Sequence, residues 1–478
     1  MHKLIRKISA FFSHSGATLP DASSLTQPLV LQRDDHNISR SDIEKSALDV
    51  LYSLKRAGYD AYLVGGCVRD LLLGLEPKDF DVVTNAEPEQ IKQVFRQRCR
   101  LIGRRFRLAH VTFGRVVIEV ATFRANGEAQ PASKKRFLGR KNAQQRQVDD
   151  SGRLLQDNLY GTIEEDAWRR DFTVNALYYS IHDFSIADYT HQGLQDIEKG
   201  LLRLIGDPET RYREDPVRLI RAVRFAAKLG FKIEPKTEKP IPLLAPLLRD
   251  VSNARMFEEV LKLFHSGVAL EVFEKLRHYH LFEHLFPQTD ALLAQEREQF
   301  PRMLVIEALK STDARIQAGK TVNPSFLFAA LLWESMLQRQ QALLEQGMTP
   351  QDALFHAANQ VIEQQISHTA IPKRFTLQIR EIWAFQYRLP RRSGDRAQTL
   401  VEHPRFRAAY DFLGIRVAAG EETLAELFDW WTQYQEKSPV ERVAFVSNLA
   451  PKPPQKARRN NRNFYRKRSQ TSDKFDQS

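Results

Sequence analysis

At 478 residues the chain is too long for one compact hydrophobic core and predicts several domains. With 42% hydrophobic and 27% charged residues it has the make-up of a globular protein, and no run of about 18 apolar residues offers a transmembrane helix. A formal net charge of +12 favours a polyanionic partner, nucleic acid before membrane. Two cysteines, Cys67 and Cys99, exclude a disulfide framework or a thiolate zinc site and fit a reducing, cytoplasmic setting.

Residues 1–39 read as a flexible N-terminal segment. Lys3, Arg6 and Lys7 surround an apolar patch ending at Phe11 and Phe12 that is too short for a signal-peptide core. It suits a frayed basic terminus, with a weak interfacial helix in peripheral membrane contact as the alternative. The polar stretch from His14 to Ile38 reads as a linker. Ser41 and Glu44 form a capping box before Ala47, Val50, Leu51 and Leu54, which are apolar at helical spacing, and Gly58 ends that helix. A strand is expected from Ala61 to Val64, then a turn at Gly65 and Gly66 and a short helix through Leu71 to Leu73. A second strand at Asp79 to Val83, a helix from Pro88 to Phe95 and strands at His110 to Phe113 and Val116 to Phe123 follow. Residues 125–160 are polar, basic and aperiodic, a long loop of the functional or disordered kind.

From Asp166 onward the periodicity is helical, most clearly at Arg255 to Phe264, Pro324 to Leu337 and Phe375 to Leu389. The fold class is therefore an α+β head, a small mixed sheet with helices, followed by an all-α body and a disordered basic tail. The expected divisions are the head at 40–202, a helical neck at 203–270, a helical body at 271–450 and the tail at 451–478. In the tail Lys456, Arg458, Arg459, Arg462, Arg466, Lys467 and Arg468 alternate with polar residues and the pair Phe464 and Tyr465. Such a segment suits phosphate contact with some base stacking better than mere solubilisation.

The chemistry lies in LVGGCVRDLLLGLEPKDFDVVT, Leu63 to Thr84. Asp79 and Asp81, two apart on a strand, put both carboxylates on one face, where like charges repel unless a cation sits between them. Hard oxygen ligands select Mg²⁺ or Mn²⁺. The Gly65-Gly66 turn exposes backbone N–H groups to anions, and Arg69 follows closely. A phosphate-cradling turn beside a carboxylate pair suggests a nucleoside triphosphate site. Glu119, alone among apolar residues in VVIEVATF, is either a third metal ligand, the partner of an arginine, or an outward-facing residue of a half-exposed strand. In RRDFTVNAL a helical reading puts Asp171 and Asn175 on one face, and Asp171 is then either the partner of a local arginine or an active-site acid. In EDPVRLIRAVR, Asp215-Pro216 starts a helix on which Arg218, Arg221 and Arg224 recur every third residue.

Together these stretches resemble the signatures of the class II nucleotidyltransferases, the superfamily of CCA-adding enzymes and bacterial poly(A) polymerases. LIGRRFRLAHV, with Arg104, Arg105 and Arg107, resembles the poly(A) polymerase branch, and the likeness runs from about residue 40 to 430. The resemblance implies a two-metal enzyme that adds AMP from ATP to RNA 3′ ends without a template. It implies Asp79, Asp81 and Glu119 as metal ligands and Asp171 with Asp79 and Asp81 as catalytic carboxylates. Gly65, Gly66, Arg69, Arg170, Asp215, Arg218, Arg221 and Arg224 would bind nucleotide, with Asp215 and Arg218 reading the base. A carboxylate and a guanidinium match the donor-acceptor edge of adenine and equally that of cytosine, so this pair rejects G and U without separating ATP from CTP.

RNA is expected along the body at Lys373, Arg374, Arg391 and Arg392 and in the tail at Arg458 and Arg459. Trp383, Phe385 and Tyr387 lie between the body cations and read as helix core before stacking platforms. RNA-decay proteins are a further expected class of partner. The rival readings are a CCA-adding enzyme, a non-catalytic RNA-binding protein on an inert head, and, more weakly, an HD-type phosphohydrolase at His182-Asp183.

Overall fold

The computed structural model describes residues 27–103, 107–125, 159–295 and 303–447, and within 126–158 only the backbone of three short strands. The chain divides into two compact units, Met1–Arg380 and Glu381–Ser478.

The first unit is built on an eight-stranded sheet. Its strands are β1 (Leu29–Leu31), β2 (Ala61–Val64), β3 (Asp81–Thr84), β4 (Cys99–Ile102), β5 (Leu108–Phe113) and β6 (Val116–Thr122), with β10 (Leu177–Ser180) and β11 (Ile186–Asp188). Between them in sequence, β7 (Gln130–Pro131), β8 (Gln147–Val148) and β9 (Leu154–Gln156) pair only with one another. The spatial order of the large sheet is β1-β11-β10-β2-β3-β6-β5-β4, and all its pairings are antiparallel except β3 with β6. In β3 the residues Val82, Val83 and Thr84 are buried, as expected of a strand covered on both faces. Val64, Val83, Phe123, Ala167 and Tyr178 form a cluster of its core.

Three expectations change here. The linker reading of 14–38 fails at its end: Leu29–Leu31 pairs with β11, and Ile38 is 1% exposed. A three-residue strand shows no usable periodicity, and its partner lies far along the chain. The capping box is Ser39 with Asp42 on a 3₁₀ turn, while the helix itself runs Lys45–Arg56. The stretch after Arg170 is not helical. A 3₁₀ turn, Thr173–Asn175, leads into β10 and β11, which extend the sheet from β2 to β1. Buried Tyr178 and Tyr179 are aromatic residues at home on a pleated surface, and pairing with β2 overrides the helical spacing.

β12 (Leu201–Leu202) and β13 (Lys232–Ile233) pair in parallel and tie the head to the helices that follow. Among those, Pro208–Glu214 and Val217–Leu229 meet at Asp215, and Asn253–Phe264 packs behind them. Helices Pro287–Leu293, Pro324–Glu345 and Pro350–Ile366 build a further layer. The helix Lys373–Arg388 carries the boundary between the units. In the second unit Phe385, Leu389, Phe406, Leu413, Trp431 and Tyr434 are core residues, with Trp431 wholly buried. Among the described residues no helix is long and apolar enough to cross a membrane. The basic tail, including Arg458 and Arg459, lies outside the described residues, as do the N-terminal patch, Arg104 and Arg105.

Candidate active site

The site grows from the turn after β2. Gly65 has φ +83° and ψ −136°, a conformation open to glycine alone, and lets the helix Gly66–Leu72 start directly from the strand. A Cβ at Gly65 would meet Arg170 Nη1 at 3.7 Å and the Asn175 carbonyl at 3.8 Å, so the turn lies against the 170–175 segment. Arg69 is 2% exposed and is consumed beneath the turn. Its Nε donates to Asp70 at 2.8 Å, its Nη1 donates to Asn175 Oδ1, and it lies over Phe225. The structure thus gives this expected nucleotide contact a bracing position. Cys67, also buried, has its Sγ 3.3 Å from the Val64 carbonyl and its thiol pushed up to about 12 by burial.

Asp81 opens β3, and its parallel register partner on β6 is Glu119. Partners in register project to the same face, about 5 Å apart along the hydrogen-bonding direction. Asp79 lies just before the strand rather than on it, which corrects the shared-strand premise of the pair, yet its charge still acts on Asp81. Glu119 is not buried: its side chain is 52% exposed, with His110 Nε2 at 3.2 Å. The strand alternates, with Ile118 and Val120 inward and Glu119 outward on the face of Asp81. Asp81 keeps a solvent-open face while protein crowds its flanks. Desolvation first, then the charges of Glu119 and Asp79, raise its carboxyl to about 6 against the pull of Arg170. This is the electrostatic signature of acids gathered without enough counter-charge. Among the described residues no three His, Cys, Asp or Glu side chains close a coordination sphere by themselves. The acids fit a divalent cation whose remaining ligands come from phosphate and water, as is usual for Mg²⁺.

Arg170 stands between this acid face and the glycine turn. Its Nε and Nη2 donate to Asp166 at 3.2 and 3.0 Å, and the Tyr178 hydroxyl accepts from Nε at 3.0 Å while donating to Asp166 at 2.8 Å. The spacing of Asp166 and Arg170 was readable as an i,i+4 pair; the role of Tyr178 carried no sequence signal.

Asp171 turns the other way. Its Oδ2 lies 2.6 Å from Arg221 Nη2, and its Oδ1 accepts from the Phe172 amide at 2.8 Å and from Asn175 at 3.4 Å. Burial alone would raise its pKa, but Arg221, these donors and Arg218 outweigh it and hold the carboxyl below its ordinary value. The 3₁₀ turn, not a helix, brings Asp171 and Asn175 together.

The arginine helix, Val217–Leu229, forms the other wall. Arg218 Nη1 donates to the Arg211 carbonyl at 2.7 Å and approaches Glu214 at 3.3 Å. Arg224 lies over the Phe225 ring at 4.3 Å, and burial followed by the charge of Arg221 lowers its pKa. Asp215 is gripped in bidentate fashion by Arg255, at 2.8 and 2.7 Å. Arg211 Nη2 donates to the carbonyls of Arg169 and Arg170, both at 2.8 Å, tying the neck to the head. Sequence reasoning missed Arg255 and Arg211: the Asp215–Arg255 contact spans forty positions and leaves no local pattern.

The other expected residues fall as follows. Lys373 and Arg374 are exposed at the start of their helix, with Arg374 over Phe375. Arg391 is exposed in the second unit and lines a groove with Arg388 and Arg396, whereas Arg392 pairs with Glu426 at 2.9 Å. Trp383 and Phe385 are buried, in accord with the core reading, and Tyr387 is 38% exposed. His182 and Asp183 sit at the turn between β10 and β11, where Asp183 accepts from Ser185.

Three family descriptions match the chain: "Poly A polymerase head domain" over residues 61–203, "Probable RNA and SrmB- binding site of polymerase A" over 230–293, and "Polymerase A arginine-rich C-terminus" over 346–467. Poly(A) polymerase I of Salmonella typhi is 49% identical over 90% of this chain and 90% of its own. A CCA-adding enzyme of Lactobacillus helveticus is 36% identical over 48% of this chain and 53% of its own. Among solved structures, the CCA-adding enzyme of Bacillus stearothermophilus in complex with CTP superposes with a TM-score of 0.51 at 24% identity, covering 85% of this chain and 88% of that one, a likeness of fold.

Proposed function

The chain belongs to the bacterial poly(A) polymerase family, and we propose that Asp79, Asp81 and Glu119 hold its divalent cation while the wall of arginines holds the nucleotide. The enzyme is a polynucleotide adenylyltransferase: it transfers AMP from ATP to RNA 3′ ends without a template and releases pyrophosphate.

One observation carries the site assignment. A face of acids too close for comfort stands across from a helix of arginines, joined through Arg170 and Asp171. Magnesium-loaded ATP has the matching polarity, cation at one end and polyphosphate at the other. Bound at the acids, Mg²⁺ or Mn²⁺ supplies acidification of the RNA 3′-hydroxyl and charge for the departing pyrophosphate.

Arg170, fixed by Asp166 and Tyr178, presents its guanidinium beside the glycine turn, where the phosphates would lie. Arg221 and Arg224 supply the remaining positive charge. Asp215 and Arg218 meet the base, the carboxylate accepting from the adenine amine and the guanidinium donating to the adjacent ring nitrogen. Asp171 acts as a positioning residue that sets Arg221. Arg69 has the same standing beneath the glycine turn. RNA phosphates lie on Lys373 and Arg374 and on the groove of Arg388, Arg391 and Arg396. A sequence-tolerant polymerase needs contacts of this backbone-directed kind.

Purified protein incubated with RNA, Mg²⁺ and each nucleoside triphosphate in turn gives a ladder with ATP alone, and Asp81→Ala gives none. A short product that needs CTP would replace this reading by CCA addition.

A further inference from the structure

In the first unit, away from the nucleotide site, helices Pro287–Leu293, Pro324–Glu345 and Pro350–Ile366 line an open cavity of about 690 Å³. Its lining is unusual in kind: the glutamines at 288, 295, 338, 360 and 364, with one guanidinium, Arg339, and no carboxylate. Gln360 and Gln364 are one turn apart on their helix, and Ser335 and Gln338 likewise on theirs, so each wall presents its amides as a stripe. Gln288 Nε2 donates to the Val361 carbonyl at 3.3 Å and Gln360 Oε1 accepts from Arg339, whereas Gln338 and Gln364 make no side-chain hydrogen bond among the described residues and are the amides open to a ligand. Ser335, which also lines the cavity, is 5% exposed, and its Oγ is buried without a partner. A buried hydroxyl left unpaired costs about 1–3 kcal/mol, so its persistence at a cavity wall points to a ligand that completes it.

The chemistry of that ligand follows from the lining. Primary amides carry a donor and an acceptor side by side and no charge, so they select a neutral group with the same pairing. The purine edge of adenine bearing N6 and N7 is such a group, and so is the edge bearing N6 and N1. Cytosine offers that donor-acceptor pair on one edge only, so glutamines on facing walls hold adenine from both sides and cytosine from one. Arg339, held by Gln360 through its Nε, keeps its terminal nitrogens for an adjoining phosphate.

We infer that this cavity binds an adenine base of single-stranded RNA, and hence the adenylate tail that the enzyme itself makes. The inference rests on the adenylyltransferase reading. It predicts a protein that grips its product more tightly once tail has been added.

The test uses the full chain and fluorescently labelled oligo(A) and oligo(C) of equal length, with binding followed by anisotropy. Gln338→Leu/Gln364→Leu changes two exposed side chains, and Ser335→Ala removes the buried hydroxyl. The double variant lowers oligo(A) affinity about tenfold, the loss of one good bidentate base contact. It leaves oligo(C) affinity and the first AMP addition to an RNA lacking a 3′ adenylate unchanged. Gln364→Met, of similar volume and uncharged but without donor or acceptor, shows the same selective loss should the double variant be destabilised. Equal losses for both oligomers, or no loss for either, overturn the inference. If the adenylyltransferase reading itself were wrong, wild-type protein would add no AMP to the RNA, an outcome independent of these comparisons.

Discussion

Arg255 offers the sharpest test of how the base pocket is set. Both its terminal nitrogens donate to Asp215, at 2.8 and 2.7 Å, from the helix that also carries Glu259, whose charge acts on Arg221 and Arg224. Side-chain exposures are 31% for Arg255 and 16% for Asp215, between the fully buried pairs whose rupture costs about 3–5 kcal/mol and the surface pairs worth about 0–1. Arg218 and Arg221 remain near the abandoned carboxylate and compensate in part. Arg255→Met should therefore cost about 2 kcal/mol, read from urea midpoints, and Arg255→Lys, which keeps the charge but loses the fork, somewhat less. The functional consequence is larger for discrimination than for rate. With its rear grip gone, the Asp215 carboxylate is free to turn, so the base-reading pair is no longer preset and the ordering cost falls on the nucleotide. The ratio of kcat/KM for ATP over GTP, measured on one RNA, should drop by about tenfold, or 1.4 kcal/mol, mostly through KM for ATP. If stability and the ratio are both unchanged, Arg255 is a bystander and the pocket is ordered by something else.

Asp81→Asn removes a charge from the acid face; AMP addition on gels should fall at least about a thousandfold while ATP still protects the protein in thermal unfolding. Survival of the ladder would disprove the metal assignment. Gly65→Ala meets no atom closer than 3.7 Å, so its penalty is backbone strain at φ +83°, about 1–3 kcal/mol by denaturant titration, with a raised KM for ATP. Unchanged stability would show that the turn relaxes. For pH, Asp171 and Asp215 both titrate below their usual value of 3.8 in the fold. A depressed carboxyl contributes stability above its unfolded pKa and loses it as pH falls through the folded one. Urea midpoints should thus decline below about pH 4, and Arg221→Met should flatten that decline; equal slopes in both proteins would refute it.

What could be read from the sequence was whatever repeats locally. The Gly65 turn, the helix Pro88–Phe95 and the strands flanking Glu119 lie where spacing places them. The sheet came out at eight strands because β1, β4, β10 and β11 are short and owe their existence to partners distant in the chain. The 170–180 segment misled for a related reason: apolar residues at helical spacing also fit a turn followed by a buried strand, and only pairing with β2 decides. The acids of the site could be listed but not arranged. Glu119 as the register partner of Asp81 depends on the parallel β3–β6 pairing, which leaves no mark in either strand. Arg69 shows the opposite failure, a motif residue whose chemistry suits phosphate but whose burial commits it to Asp70 and Asn175.

That failure points to how the site is divided. Asp81 and Glu119 sit on the sheet with Asp79 just before it, and the cations at Arg218, Arg221 and Arg224 sit on the helix Val217–Leu229. Nothing in either element fixes its distance from the other. The fixing is done by residues whose side chains are spent on other protein groups: Asp171 on Arg221, Arg69 on Asn175, and Arg211 on the carbonyls of Arg169 and Arg170. Each of these ties crosses from one element of the site to another and ends on the segment 169–175. In that segment a single stretch of chain carries Arg170 toward the acids and Asp171 toward the arginine helix. Adjacent residues of an extended chain point in opposite directions, so two neighbours can serve both walls at once. This is a physical reason for an Arg-Asp pair in RRDFTVN: swapping the two would reverse both charges at both walls. Arg170→Asp/Asp171→Arg should then abolish ATP binding even though composition and net charge are conserved.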